Sequence, residues 1–217
     1  MERFLLGIII PAFNEEKTIE KVIIKSLKYG PTLVINDGSK DKTAYLAKKA
    51  GASLVEHNFN KGYDSALNSG FQYFMKSKFK YILTIDADNQ HDFEMIPKML
   101  KEAEKGYDIV ITNRNKKQRW SESLFGMYTF YRWQIRDPLS GLKLYKKNSL
   151  KSLNYNFNST IGTKLLIEAL INNKRVKELD TITIERNDKS RFGVSLISNI
   201  KIIKAFLITI YADLFYS

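Results

Sequence analysis

Apolar runs alternate with stretches of helical periodicity through the first half of this chain, and that rhythm limits its fold more than any other feature. Leu5–Phe13 and Tyr81–Ile85 are almost continuously apolar, as is typical of strands buried on both faces of a parallel sheet. Between them, Ile19, Val22 and Ile23 recur at the spacing of one helix face. The rhythm predicts an α/β fold with a doubly wound, mostly parallel sheet flanked by helices.

The predicted elements cover nearly the whole sequence. The predicted strands are Leu5–Phe13, Thr32–Asn36, Ser53–Glu56, Tyr81–Ile85, Asp108–Thr112, Gly141–Tyr145 and Thr181–Glu185. The predicted helices are Glu15–Leu27, Lys42–Ala50, Ser65–Met75, Glu94–Lys105, Trp120–Ile135, Thr163–Ile171 and Leu196–Phe215. A length of 217 residues suits one domain over residues 1–193 and a C-terminal amphipathic helix over residues 194–217.

The composition limits the chemistry and the partners. The chain has no cysteine, so a bound metal ion would need oxygen or histidine ligands, and only two histidines are available. The net charge of +12 favours anionic partners such as acidic headgroups or phosphorylated substrates, although a Lys-rich surface can also serve solubility alone. Nucleic acid is not the expected partner, because the charge is dispersed and no nucleic-acid-binding motif occurs.

Polar side chains follow four of the predicted strands. Glu15 follows the first strand, Asp37 the second, Asp86 and Asp88 the strand at Tyr81–Ile85, and Arg114 the next one. In open parallel sheets, ligands bind outside the carboxyl ends of the strands. Loop polarity explains any one of these positions, but it explains all four together less well, so we expect a ligand site at this edge.

Asp86-Ala87-Asp88 is the strongest single signal. Two carboxylates one residue apart at the end of a buried strand can converge on one hard cation, and Mg²⁺ prefers a few carboxylates together with phosphate oxygens and water. Such a cation would stabilise a departing diphosphate. A simple turn is the alternative, because Asp is favoured where strands end.

Two further segments are weak in isolation. In the stretch that starts at Pro11, capping of the next helix by Asn14 is a sufficient explanation. In the tight turn after the second strand, Asp37 could bind a nucleoside or simply form an Asx-turn.

The ordered segments together resemble the family 2 glycosyltransferases of the GT-A fold. Within that family they look most like dolichol-phosphate mannose synthase and its bacterial polyprenyl-phosphate relatives. The resemblance runs from about Ile8 to about Ser195. It is carried, in order, by PAFNE from Pro11, NDGS from Asn36, Asn60-Lys61-Gly62 with Ala66 and Gly70, DADNQH from Asp86, Arg114, and DPLSGLKLY from Asp137.

The resemblance implies a transferase that uses a GDP- or UDP-sugar as donor and Mg²⁺ or Mn²⁺ as cofactor. It implies that the first two segments form the nucleoside pocket and that the acidic pair binds the donor diphosphate. The implied metal ligands are Asp86, Asp88 and Gln90. The implied donor-binding residues are Pro11, Ala12, Phe13, Glu15, Asp37, Lys61, Asp86, Ala87, Asp88, Arg114 and Arg191.

The resemblance also implies inversion at the anomeric carbon and a polyprenyl or dolichyl phosphate as acceptor. A lipid phosphate is already ionised at neutral pH, so positioning and electrostatics would carry the rate. A saccharide or protein acceptor is the alternative, and its hydroxyl would need a base, for which Asp137 is the candidate. The expected catalytic residues are Asp88, Arg114 and Asp137, and the expected acceptor-binding residues are Arg132, Arg136, Ser140 and Arg186.

One segment departs from the family pattern. The family has an Arg followed by Gly-x-Ser-Lys, which closes over the diphosphate, whereas this chain has Leu196 after Ser195. Lys201 or Lys204 is the expected substitute for the missing lysine.

Two helices suggest a membrane surface. Trp120–Ile135 is rich in aromatic residues with arginines around them, and Leu196–Phe215 combines an apolar face with lysines, as suits an anionic interface. Packing of both helices on the sheet as core is the alternative. No run is long enough to span a bilayer. We therefore expect a cytoplasmic protein, peripheral at the cytoplasmic face of a membrane, and a membrane-protein partner stays open.

Overall fold

The computed structural model describes residues 5–117, 119–151, 153, 162–184 and 196–216. Within these residues, seven strands form one sheet with helices on both faces. The strands are β1 (Leu6–Ala12), β2 (Thr32–Asn36), β3 (Ser53–Glu56), β4 (Tyr81–Thr84), β5 (Ile109–Arg114), β6 (Lys143–Lys146) and β7 (Val176–Thr181). The helices are α1 (Ile19–Ser26), α2 (Thr43–Lys49), α3 (Tyr63–Met75), α4 (Met95–Glu104), α5 (Trp120–Trp133), α6 (Lys147–Leu150), α7 (Lys164–Ile171) and α8 (Leu196–Tyr216).

The strand order is β3-β2-β1-β4-β6-β5-β7. β6 runs antiparallel to β4 and β5, whereas the other neighbouring pairs are parallel. The chain first builds outward from β1 to β3 and then returns to add β4 on the other side of β1. This reversal makes the gap beyond the carboxyl ends of β1 and β4 a topological switch point, where open α/β sheets bind their ligands.

Alternate residues of the central strands feed two separate cores, one on each face of the sheet. On β1, Ile8 and Ile10 pack with the apolar side of α1, α2 and α4. Ile9 points to the other face, where it packs with residues of α3 and α7. Every residue of β1 is buried, because both faces of the strand are covered. The predicted α/β architecture is therefore confirmed.

The fold differs from the sequence prediction in three places. The last strand of the sheet is β7, so the strand predicted at Thr181–Glu185 is wrong: residues 182–184 have no strand structure, and Glu185 lies outside the described residues. β7 is an edge strand whose residues are mostly half-exposed, so its sequence lacks a strong apolar alternation. The antiparallel direction of β6 and the short helix α6 were also not predicted.

The C-terminal helix α8 packs along α5. Ser121 donates to Asn199 at 2.6 Å near the start of both helices, and Arg132 donates to Asp213 at 2.9 Å near their ends, so the two run side by side in the same direction. Phe125 and Ile202 form a small apolar cluster between them. Of the helices described here, none has the length and apolar character that crossing a bilayer requires.

Candidate active site

A cleft of about 490 Å³ opens beyond the carboxyl ends of β1, β2, β4 and β5. It brings together strand ends as far apart in the sequence as Pro11 and Arg114, because the parallel strands place their carboxyl ends at one edge. The predicted residues that line it are Pro11, Ala12, Phe13, Glu15, Asp37, Asp86, Ala87, Asp88, Gln90 and Arg114. The edge of the sheet that the sequence singled out is therefore the wall of one cavity.

Protein donors occupy both carboxylate oxygens of Asp86. The hydroxyl of Tyr63 donates to Oδ1 at 2.8 Å, and Nε2 of His91 lies 3.0 Å from Oδ2. Burial would raise the pKa of Asp86, but these two hydrogen bonds and the nearby charge of Lys143 outweigh it and lower the pKa to about 2. Gly141 packs directly on the carboxylate, since an added Cβ would lie 2.0 Å from Oδ2. Asp86 is thus ionised and held in one orientation.

Asp88 and Gln90 follow Asp86 in the same loop. Oδ1 of Asp88 accepts the backbone N–H of Gln90 at 3.1 Å, which fixes the turn between them. Carboxylate and amide oxygens are hard ligands of the kind that Mg²⁺ and Mn²⁺ take, and both side chains line the cleft. Within the described residues, no three Asp, Glu or His side chains converge as a ready-made metal cluster. A cation bound here would draw further ligands from a phosphorylated substrate and water.

Arg114 is held by a buried ion-pair network at the far end of the cleft. Its Nε and Nη2 donate to the two oxygens of Asp137 at 2.7 and 3.0 Å, and Nη2 also donates to Glu122 at 3.1 Å. Arg119 donates to the second oxygen of Glu122. Burial would lower the pKa of Arg114, but the hydrogen bond and charge of Asp137 outweigh it and raise the pKa above its usual value. The guanidinium is therefore a permanently charged, fixed group.

Asp37 joins the turn after β2 to the loop before α3. Its Oδ1 accepts from the backbone N–H of Lys61 at 2.9 Å and lies 2.6 Å from Nδ1 of His57, and its Oδ2 accepts from the N–H of Gly62 at 2.7 Å. The two segments lie so close that a Cβ added at Gly38 would be 2.6 Å from the backbone of Phe59. Asp37 therefore fixes the shape of this end of the cleft.

Several predicted residues do not lie in the cleft. Ser140 is fully buried at 0% exposure, with its hydroxyl 2.7 Å from that of Thr112, and Asp137 is buried at 1% beneath Arg114. Lys61 contributes its backbone N–H, while its ammonium lies over the ring of Phe59.

Two arginines expected to bind the acceptor are also placed elsewhere. Arg132 pairs with Asp213 between α5 and α8, and Arg136 pairs with Glu178 and Asp180 near β7. Neither arginine lines the cleft. The last two predicted residues, Arg186 and Arg191, lie outside the described residues.

Four cleft residues that orient its charged groups were missed by the sequence analysis. Tyr63 and His91 orient Asp86, and Arg119 and Glu122 orient Arg114. Tyr63 follows directly on the Asn60-Lys61-Gly62 segment, and Arg119 with Glu122 has the i,i+3 spacing of a helical ion pair, so both signals were present in the sequence. Lys201, one of the two lysines suggested as a substitute phosphate contact, does line the cleft.

Comparison with solved structures identifies the fold. The structure superposes on glucosyl-3-phosphoglycerate synthase of Mycobacterium tuberculosis, solved with Mn²⁺, UDP-glucose and phosphoglyceric acid, with a TM-score of 0.77 at 19% identity over 95% of this chain and 79% of that chain. The same enzyme solved with Mg²⁺ and UDP gives a TM-score of 0.77. The predicted GT-A fold, with its C-terminal helix, is therefore confirmed.

The sequence then defines the family. Residues 7–175 match Glycosyl transferase family 2, and the chain belongs to that family. It is thus a glycosyltransferase. An uncharacterized protein of Methanocaldococcus jannaschii is 30% identical over 90% of this chain and 88% of its own length.

Relatives with named activities are more distant or match a shorter segment. Dolichol-phosphate mannosyltransferase of Pyrococcus furiosus is 28% identical over 81% of this chain. An undecaprenyl-phosphate 4-deoxy-4-formamido-L-arabinose transferase of Pseudomonas fluorescens is 35% identical over 52% of this chain. The chain spans 54% and 36% of the length of these two enzymes, respectively. The relatives therefore include transferases that act on polyprenyl phosphates, as the resemblance implied.

Proposed function

We propose that the protein is an inverting glycosyltransferase that moves a sugar from a GDP- or UDP-sugar to a polyprenyl or dolichyl phosphate at a membrane surface. The observation that carries this proposal is the position of α8. Lys201 and Ile202 of this helix line the cleft, while its outer side exposes a row of apolar residues. An acceptor with an anionic head and an apolar tail matches both features of one helix.

The donor end of the cleft suits a nucleoside diphosphate. The acidic loop would hold Mg²⁺ or Mn²⁺ through Asp88 and Gln90, and a bound cation would neutralise charge on the departing diphosphate. Asp86 keeps its fixed orientation through Tyr63 and His91, so it supplies a constant negative charge beside the cation. Arg114 is held at the other side of the cleft, where its charge would stabilise phosphate oxygens.

The acceptor is inferred from the lack of a suitable base at the expected position. Asp137 is buried, bonded to Arg114, and absent from the lining of the cleft, and the bonds from Arg114 lower its pKa although burial would raise it. A carboxylate in that state is a poor proton acceptor. A phosphate acceptor needs no such base, because its oxygen is already ionised, so the geometry favours phosphate over a saccharide or protein hydroxyl.

The membrane part of the proposal rests on charge and exposure together. The apolar row on α8 consists of Leu196, Ile197, Ile200, Leu207, Tyr211, Leu214 and Phe215. Lys201 and Lys204 are exposed on the same helix, and the whole chain carries a net charge of +12. Apolar rows beside lysines suit the interface of an anionic bilayer. Binding there would bring the cleft to a lipid acceptor, and the cytoplasmic face would supply the nucleotide sugar.

Paired acceptors test the proposal. Polyprenyl phosphate and polyprenol are each offered in vesicles with a panel of nucleotide sugars and Mg²⁺ or Mn²⁺. The two lipids differ only in the phosphate group, which presents an ionised oxygen in place of a hydroxyl. We expect transfer to the phosphate and none to the alcohol, since the cleft lacks Asp137 as a base. Equal transfer to the alcohol, or transfer only to a soluble saccharide, would remove the lipid-phosphate acceptor from the proposal.

A further inference from the structure

The order of strands gives the cleft a direction. Three neighbouring strands, in the order β2-β1-β4, contribute cleft residues at their carboxyl ends. These residues are Asp37 after β2, Pro11–Phe13 at the end of β1, and Asp88 after β4. A diphosphate belongs beside the hard ligands at the β4 end. The nucleoside of the same donor then extends along β1 towards β2, so its base lies nearest Asp37. This step rests on the proposed function, because it assumes a nucleoside diphosphate donor.

The carboxylate of Asp37 has few lone-pair positions left to accept a hydrogen bond from a nucleobase. An ionised carboxylate has about four lone-pair positions. Three are occupied, by the N–H groups of Lys61 and Gly62 and by His57. Oδ1 takes two of these donors and Oδ2 takes one, so a single position on Oδ2 stays available. The residue is only 2% exposed, and its small open part faces the cleft.

His57 makes this arrangement rigid. Because an ionised carboxylate accepts only, Nδ1 of His57 carries the proton that is shared with Asp37, and Nε2 then accepts from the hydroxyl of Ser69 at 2.9 Å. The ring is almost fully buried between β3 and α3. His57 is therefore a positioning residue that keeps Oδ1 saturated and leaves Oδ2 as the one acceptor for a ligand.

We propose that the donor is a uridine diphosphate sugar rather than a guanosine diphosphate sugar. Uracil presents one acidic imide N–H, which one carboxylate oxygen can accept in a charge-assisted hydrogen bond. Guanine presents an N–H and an NH₂ side by side, which need one open position on each oxygen of a carboxylate. With Oδ1 already saturated, guanine would leave one buried donor without a partner, and that loss lowers affinity by about tenfold or more.

Nucleotide binding tests the inference without any acceptor. Dissociation constants of UDP, GDP, CDP and ADP are measured by calorimetry with the whole chain in Mg²⁺. We expect UDP to bind tightest and GDP about tenfold or more weaker. Tightest binding of any other nucleotide would overturn the inference while leaving glycosyl transfer intact. Failure of all four to bind would instead remove the proposed donor chemistry itself, so the two failures can be told apart.

Two variants identify the cause of the preference. In His57→Asn the amide nitrogen replaces Nδ1 as donor to Asp37, so the ratio of the UDP and GDP dissociation constants should stay near that of the wild type. In His57→Leu, Oδ1 gains an open position, so the ratio should fall several-fold. An unchanged ratio in His57→Leu would show that Asp37 does not read the base. If the Leu variant fails to fold, the nucleotide preference of the wild type still tests the inference, since tightest binding of any nucleotide other than UDP overturns it.

Discussion

At the scale of single residues, the chemistry of the cleft depends on which carboxylates are already committed to protein partners. Asp86 and Asp137 are both ionised, but Tyr63, His91 and Arg114 bind their oxygens. Asp88 follows two residues later on the same loop, where its Oδ1 accepts the N–H of Gln90 at 3.1 Å. We therefore propose that Asp88, which lines the cleft, binds the cation, while Asp86 and Asp137 keep fixed orientations.

Replacing Asp88 with Asn should weaken binding of the Mn²⁺–nucleotide pair by about a hundredfold or more, because the cation loses its charged ligand. Calorimetry with and without Mn²⁺ measures this loss. Asp92→Asn is the matched control, since Asp92 makes a similar turn, accepting the N–H of Glu94 at 3.0 Å, but does not line the cleft. Equal effects of the two substitutions would contradict the assignment of the cation to Asp88.

Replacing Asp137 with Asn should destabilise the fold by about 3 kcal/mol at neutral pH, because it leaves the buried charge of Arg114 without its main partner. The pKa of Asp137 is lower in the folded state than in the unfolded state, where it is about 4. The ionised carboxylate therefore stabilises the fold fully at pH values above about 4, and this stabilisation is lost as the pH falls below that value. Urea unfolding should therefore give a smaller difference between wild type and variant at pH 3 than at pH 7.

Asp180→Asn is the control for that comparison. Asp180 also accepts from an arginine, Arg136, but its side chain is 70% exposed. Exposed ion pairs contribute about 1 kcal/mol or less. A loss in Asp180→Asn as large as in Asp137→Asn, or a difference that grows towards pH 3, would mean that the Arg114 network is not what stabilises this end of the sheet.

At the scale of elements, α8 both packs against the rest of the fold and exposes apolar side chains. One side of the helix packs on α5 through Ile202 and Ala205, and the other side exposes its apolar row. Core packing and an exposed apolar face thus occur on the same helix. Large exposed apolar patches of this kind mark interaction surfaces.

Replacing both Ile200 and Leu207 with Ser should reduce binding to anionic vesicles at least severalfold without changing the unfolding temperature, because both side chains are more than half exposed. Vesicle flotation measures the binding. Tyr45→Ser is the control, since Tyr45 is 64% exposed on α2 and belongs to a different face. If the double variant floated as well as the wild type at low salt, α8 would not be the membrane-binding element.

The strands β1 to β4 were predictable from the sequence, whereas the position of β7 and the direction of β6 were not. β2 and β3 have the predicted bounds, and β1 and β4 lie within theirs. β1, β2 and β4 are buried along their whole length, and strands buried on both faces are apolar on both sides. β7 is a half-exposed edge strand and carries little such pattern. The direction of β6 depends on pairing with β4 and β5, which are distant in sequence, so local periodicity contains no information about it.

The site was predictable to a similar degree. Residues at strand ends, such as Asp37 and Asp88, lie in one cleft because parallel strands align their carboxyl ends. The partners of the basic residues were not predictable, since Arg132 and Arg136 reach carboxylates that are between 42 and 81 positions away. Their charge near an aromatic helix suggested a phosphate site, but the structure uses them in ion pairs within the fold.

At the scale of the whole molecule, the sheet and α8 divide the work of the proposed reaction. The carboxyl ends of β1, β2, β4 and β5 would form the donor side of the cleft, while α8 contributes Lys201 to the cleft and also carries the exposed apolar row. A soluble nucleotide sugar and a lipid-bound phosphate would thus approach the same cavity from two different surfaces. Loss of either surface should stop transfer, although only loss of the donor side should stop nucleotide binding.

The anomeric form and the location of the transferred sugar test that arrangement in a single reaction. An α-linked nucleotide sugar, labelled in the sugar, is incubated with the protein, Mg²⁺ or Mn²⁺ and vesicles that contain polyprenyl phosphate. We predict that the label enters the lipid fraction in the β configuration and that a chelator abolishes the transfer. Label that stays in the aqueous phase, that keeps the α configuration, or that transfers equally well with a chelator present would contradict the proposed reaction.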